Sequence, residues 1–153
     1  MIDINILAAP HMKIQQDSFG FLVADVSRLL RRAFAQRLGE GSITLNEARA
    51  LVYVARHEGV RQVDLAELLE IQPIQLARLI DKLAALKLVK RQPAPNDRRA
   101  YHIHLLPAAA EVLASFESVA SAIRKQAMEG LTPDQVKAIT DGLSNVRQNL
   151  NHR

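Results

Sequence analysis

The stretch that decides the fold is Gln72-Pro73-Ile74-Gln75-Leu76-Ala77-Arg78-Leu79-Ile80-Asp81-Lys82-Leu83-Ala84-Ala85-Leu86-Lys87-Leu88-Val89, followed by Lys90-Arg91-Gln92-Pro93-Ala94-Pro95-Asn96-Asp97-Arg98-Arg99-Ala100-Tyr101-His102-Ile103-His104-Leu105. In its first part Leu76, Leu79, Ile80, Leu83 and Leu86 recur at three- and four-residue spacing, which predicts a helix from Pro73 to about Leu88. Pro73 falls in the first turn, where a missing amide does no harm. In the second part Tyr101, Ile103 and Leu105 alternate with Ala100, His102 and His104. Together with Val89 to Gln92 they flank a loop of two prolines, Asn96 and Asp97, and period two around a turn predicts a hairpin.

Charge is gathered here as well. Between Gln72 and His104 stand Arg78, Lys82, Lys87, Lys90, Arg91, Arg98 and Arg99 against Asp81 and Asp97, a net of +5, while the whole chain carries +4. The rest of the molecule is therefore close to neutral. Positive charge concentrated in one window is the footprint of a surface that meets phosphates, although a solvated charged face is the commoner use of such residues. Spacing separates the two.

N-terminal to this window, Val63 to Leu69 carries Leu65, Ala66 and Leu69 on one face and predicts a short helix, led into by Val60-Arg61-Gln62. Two helices joined by so short a turn form a helix-turn-helix. Before them, Ile43-Thr44-Leu45-Asn46-Glu47 reads as a capping box opening a helix to about His57, with Gly59 closing it. Further out, Phe19, Leu22, Val23, Val26, Leu29, Leu30 and Phe34 mark a long amphipathic helix ending near Gly39, preceded by a tail of about 17 residues. On the other side, Val112, Phe116, Val119, Ile123 and Ala127 mark a helix from Pro107 to Glu129. Thr132-Pro133-Asp134-Gln135 is a second capping box, and Val136, Ile139, Leu143, Val146 and Leu150 follow as a heptad-like stripe. Such a stripe is too thin to hold a monomer's end in place, so the long terminal helices point to pairing with a second copy.

Composition narrows the function classes. At 153 residues with 48% apolar content, the chain can bury a core and suits one compact protomer. It has no cysteine, which removes disulfides, thiolate zinc sites and thiol nucleophiles. It has no run long and apolar enough for a bilayer, and Met1 to Asp17 lacks the pattern of a signal peptide, so the expected setting is cytoplasmic with no membrane partner. With 4 Phe, 2 Tyr and no Trp, there is little material for stacking single-stranded nucleic acid. Duplex DNA is the better partner class.

In a helix-turn-helix the second helix enters the major groove with its N-terminal residues at base edges. That brings Pro73, Ile74, Gln75, Arg78 and Lys82 to the interface, with 75, 78 and 82 on one helical face. Gln can bond both edge groups of adenine and Arg both acceptors of guanine, each good pair contributing about 1 to 3 kcal/mol of discrimination. The hairpin would stand beside this helix as a wing, with Arg91, Asn96, Asp97, Arg98 and Arg99 completing the candidate contacts and Arg98 or Arg99 entering a minor groove. Asp97, next to two arginines, is read as orienting one of them through a charge-assisted bond.

These residues, in this order, resemble the MarR (multiple antibiotic resistance regulator) family of winged helix-turn-helix regulators. The likeness covers Ser18 to about Leu150 and is sharpest at Leu79-Ile80-Asp81-Lys82-Leu83, at Leu86 to Val89 and at Arg91 to Arg99. It implies a mainly α (α+β) fold, with a winged helix-turn-helix lobe at 44–105 and dimerisation helices at 18–38 and 107–150. It further implies a homodimer on a pseudo-palindromic double-stranded operator, often released by a small aromatic or carboxylate effector, with no cofactor. By the same likeness Gln75 and Arg78 face bases, and Asp97, Arg98 and Arg99 form the wing tip. Family members often place an effector pocket near the junction of the two parts. Arg31 and Arg32, with Arg49 and His57, are the candidates to hold its carboxylate, although ordinary ion pairs are the commoner use of such residues.

Three departures from the pattern carry expectations. Glu70 stands where a turn glycine is common, which puts a non-glycine residue in a left-handed conformation. Gln75 replaces a small hydroxyl residue, altering operator preference. Leu106-Pro107-Ala108 replaces a threonine-led start, leaving the following helix with a weaker cap. His102 and His104 share a strand face but have no Cys and no Asp or Glu nearby in sequence to complete a metal site, so no metal is expected and a solvated strand is the reading. An enzyme is not expected either, since the chain has no Cys, no phosphate-cradling glycine run and no His clustered with carboxylates. The alternative function kept open is a non-specific architectural DNA binder, which sequence preference would separate from a regulator.

Overall fold

The computed structural model describes residues 18–151. The N-terminal tail read above lies outside them. The element order is α1 (Phe19–Leu38), α2 (Leu45–Arg56), β1 (Val60–Arg61), α3 (Gln62–Leu69), α4 (Pro73–Ala85), β2 (Val89–Ala94), β3 (Asp97–Leu105), α5 (Ala109–Ala127) and α6 (Pro133–Asn151).

Both capping boxes form. The Thr44 amide donates to Glu47 Oε2 at 2.8 Å and the Glu47 amide to Thr44 Oγ1 at 3.4 Å, opening α2. The Thr132 amide likewise donates to Gln135 Oε1 at 2.9 Å and the Gln135 amide to Thr132 Oγ1 at 3.3 Å, opening α6. Ahead of α5, Ala108 offers no side chain to cap, and the helix begins at Ala109 rather than at Pro107.

Left-handed residues end α3 and α4. Glu70 takes φ 55°, ψ 42°, as its place in the turn leads one to expect, and the Ile71 amide then reaches Ala66 O at 3.1 Å. In α4 the corresponding residue is Lys87, at φ 59°, with the Leu88 amide on Leu83 O at 3.0 Å and the Lys87 amide on Ala84 O at 2.9 Å. This double closure stops α4 at Ala85, short of the Leu88 predicted from spacing. Leu88 turns back into the core instead of extending the helical stripe, while Leu86 is left half in water.

The sheet has the order β1-β3-β2, both pairings antiparallel. β1 corrects the sequence reading, in which Val60-Arg61 only leads into a helix. Gly59, at φ 77°, turns the chain so that its amide donates to Ile103 O at 3.1 Å, and Val60 and Arg61 then fall opposite Ile103 and His102. β2 is an edge strand, which is where Pro93 can be tolerated without losing a ladder bond. The hairpin strands run further toward the tip than alternation indicated.

Leu51 and Val54 of α2, Leu65 of α3, Leu76, Ile80 and Leu83 of α4, Val89 of β2 and Ile103 of β3 are fully buried and hold the lobe together. Ala109 and Phe116 bring α5 onto this cluster, and Phe34 of α1 meets Phe116 edge to face at 5.8 Å. By contrast α1 and α6 contain no buried residue. Phe19, Leu22, Val26 and Leu29 of α1, and Ile139, Leu143 and Leu150 of α6, stay largely exposed. No helix among the described residues is long and apolar enough to cross a membrane.

Candidate nucleic-acid interface

The hairpin packs against α4 through β2, where Arg91 meets Ala77 and Asp81. On α4, Ile74, Gln75 and Arg78 are exposed, with Ile74 at 62%. Gln75 Oε1 accepts from the Gln72 amide at 3.3 Å, so its carbonyl caps its own helix. Because that donor is a backbone N–H, the atom it meets must be the carbonyl oxygen, which leaves the Gln75 amide NH2 as the group free to donate. The adenine pairing expected from sequence needs both ends of the side chain, and in this geometry the acceptor end is already engaged by the Gln72 amide.

Lys82 and Arg91 are both engaged by other groups of the protein, Lys82 at the surface and Arg91 half-buried. Lys82 Nζ lies 2.8 Å from Glu47 Oε1, and the Glu47 side chain is only 8% exposed. Burial acts to raise the Glu47 pKa, but the hydrogen bond from Lys82, the Thr44 amide and the Lys82 charge outweigh it, and the net shift is downward. Arg91, expected among the DNA contacts, donates instead from Nε to Gln62 Oε1 at 2.9 Å, from Nη1 to Asp81 Oδ1 at 2.5 Å and from Nη2 to Ala77 O at 2.9 Å. Three elements meet on one guanidinium. Arg91 joins the wing to α3 and α4, and three of its five N–H donors are taken up in doing so.

At the wing tip the ladder runs regularly to Pro93↔Tyr101 and then shifts to Ala94↔Asp97, leaving Arg98, Arg99 and Ala100 without cross-strand partners. Such a bulge re-aims side chains. Asp97 Oδ1 accepts from the Arg99 backbone amide at 2.9 Å, so it orders the turn and not, as read from sequence, an arginine side chain. Asn96, Arg98 and Arg99 are exposed, and among the described residues the guanidiniums of Arg78, Arg98 and Arg99 form no ion pair.

His102 and His104 are not a merely solvated face. His102 Nδ1 is 2.8 Å from Gly59 O, and Glu58 Oε1 is 3.1 Å from both His104 Nδ1 and the Leu105 amide. The pair pins the α2–β1 turn to β3. Glu58 was out of sight in the sequence because it lies 46 residues from His104.

A groove of about 680 Å³ opens where α1, α2 and α5 meet. Its lining includes Phe34, Phe116 and Tyr53, with the charged residues Arg31, Arg49, Arg56 and Glu117. Of the sequence candidates, Arg31 and Arg49 line it while Arg32 and His57 do not. His57 stacks on Tyr53 with ring centroids 6.4 Å apart. Arg56 and Tyr53 were missed, although 49, 53 and 56 repeat at helical spacing on α2 and could have been found from it.

A helix-turn-helix with a basic two-stranded wing packed against its second helix defines a winged helix-turn-helix transcriptional regulator. Residues 42–100 match the sequence profile of the MarR family. The solved transcriptional regulator PA3341 is 31% identical, with 89% of this chain and 100% of that one covered and a TM-score of 0.75. A MarR transcriptional regulator from Methanosarcina mazei Go1 (23% identity, 85% and 94% covered, TM-score 0.75) and apo MarR from E. coli (23%, 84% and 96%, 0.74) share the fold. The chain belongs to the MarR family of transcriptional regulators.

Proposed function

We propose that the protein is a sequence-specific regulator that binds a pseudo-palindromic double-stranded operator as a homodimer and responds to a small ligand as a repressor. The observation that carries this reading is the free cationic set of Arg78, Arg98 and Arg99 on α4 and the wing, while Lys82 and Arg91 are neutralised internally and fix the geometry. A merely charged surface has no use for a helix and a wing locked to each other. The apolar residues that α1 and α6 leave exposed are the material for the second copy, which would place two recognition helices about 34 Å apart, in adjacent major grooves. The junction groove falls in the size range of small-molecule sites, about 300 to 1,000 Å³. Its aromatic residues and its arginines suit an aromatic or otherwise apolar ligand with an anionic group.

The test is a fluorescence-anisotropy titration of the purified protein on duplex DNA fragments from the region of its own gene, run over a salt series, with sedimentation to give the mass of protein and complex. A dimer that prefers one fragment over scrambled duplex supports the reading. Equal affinity for all fragments would favour the architectural binder.

A further inference from the structure

We propose that α4 reads thymine, with Ile74 contacting the 5-methyl group and Gln75 acting only as a hydrogen-bond donor to a neighbouring acceptor edge. This rests on the DNA-binding reading above and deepens it. Ile74 is 62% exposed, the most exposed large apolar residue of the lobe, yet it has no packing role that explains it. The residue placed to staple the start of α4 onto Leu76 is Ile71, which is packed at the margin of the core. Ile74 stands one turn before Arg78 on the same face, in the part of a recognition helix that meets base edges. In the major groove the one apolar feature a base offers is the thymine methyl.

Gln75 adds a hydrogen-bond donor beside this apolar contact. Its Oε1 is turned back to the Gln72 amide, so the group it has left for a base is the NH2 donor. Arg78 is donor-only by nature. The first turns of α4 therefore offer a methyl-sized apolar surface and donors. Those suit the methyl and O4 of thymine and the N7 and O6 of guanine, whereas Ile74, Gln75 and Arg78 offer no free acceptor to the amino groups of adenine and cytosine. Asp81, the carboxylate on the same face, lies two turns further in and is engaged by Arg91.

The experiment starts from repeated selection of bound duplexes out of a random library, followed by titration of the selected duplex with each thymine replaced in turn by uracil, which deletes only the methyl. Wild type should lose about fourfold in affinity at one thymine in each half-site, the value of one buried methyl-sized group. Ile74→Ala should bind thymine and uracil duplexes alike, and as an exposed substitution it should leave the fold intact. Gln75→Glu, which keeps the capping oxygen and removes the donor, should shift the selected base beside that thymine toward cytosine or adenine. A selected site with no uracil effect, or one that persists unchanged in Ile74→Ala, overturns the proposal. If no sequence is selected at all, it is the regulator reading itself that fails, and this inference with it.

Discussion

Lys82 of α4 and Glu47 of α2 are joined Nζ to Oε1 at 2.8 Å, and the same Glu47 carboxylate caps α2 through the Thr44 amide. One buried carboxylate thus holds the recognition helix against the helix behind it. Removing Lys82 leaves that carboxylate desolvated and short of a partner, so Lys82→Ala should destabilise the protein by about 1 to 3 kcal/mol. Chemical denaturation of Lys82→Ala, Glu47→Gln and the double variant measures it, and the two losses should be strongly non-additive. An unchanged midpoint in Lys82→Ala would remove the role assigned to the pair.

The same pair sets a pH dependence. The Glu47 pKa is lowered in the folded protein, so its contribution to stability is fully present above the unfolded carboxylate value and is lost as pH falls through the folded value. Wild type should therefore lose stability in that acidic window more steeply than Glu47→Gln. Thermal melts of both proteins across the acidic range check the sign.

Arg91 ties Gln62, Asp81 and the Ala77 carbonyl to the wing. Arg91→Lys cannot reproduce a planar fork that reaches three acceptors at once. It should speed hydrogen exchange in β2 and β3 and weaken DNA binding at least tenfold while α2 and α5 stay protected. Weaker DNA binding with unaltered exchange in the wing would instead make Arg91 a phosphate contact.

Arg78 and the two wing arginines should separate by kind of effect. Arg98→Ala or Arg99→Ala should lower the slope of log affinity against log salt by about 1 each, as expected for loss of one phosphate contact. Arg78→Ala should relax base preference at a cost of about 1 to 3 kcal/mol in discrimination.

Glu70 is held left-handed, at φ 55°. Glu70→Gly relieves about 1 kcal/mol of backbone strain but adds unfolded-state entropy of about 0.5 to 1 kcal/mol, so the net change should be small and not destabilising. Glu70→Val, whose branched side chain resists this conformation, should destabilise clearly. Denaturation midpoints of the two variants decide it.

Local signals made most of this fold legible. The Thr44 and Thr132 boxes, the leucine period of α4 and the alternation from Ala100 to Leu105 each announce an element within a few residues. What could not be read depends on distant partners or on closure geometry. β1 is two residues long and exists because Gly59 turns it onto Ile103. α4 ends early because Lys87 accepts a left-handed conformation that nothing in its residue type announces. The candidate site divides in the same way. Residue type and spacing pick out Gln75, Arg78, Arg98 and Arg99, but they do not show that Lys82 and Arg91 face carboxylates. Those partners, Glu47 and Asp81, come from another helix in one case and from ten residues away in the other.

Whether this lobe selects a sequence is decided by capture from the whole genome. Purified protein is incubated with sheared DNA from its own genome at near-physiological salt, and the bound fragments are recovered and sequenced. A sequence-selecting dimer should enrich a few fragments sharing an inverted repeat, with half-site centres about 10 base pairs or a multiple of that apart. Uniform recovery across the genome would contradict sequence selection.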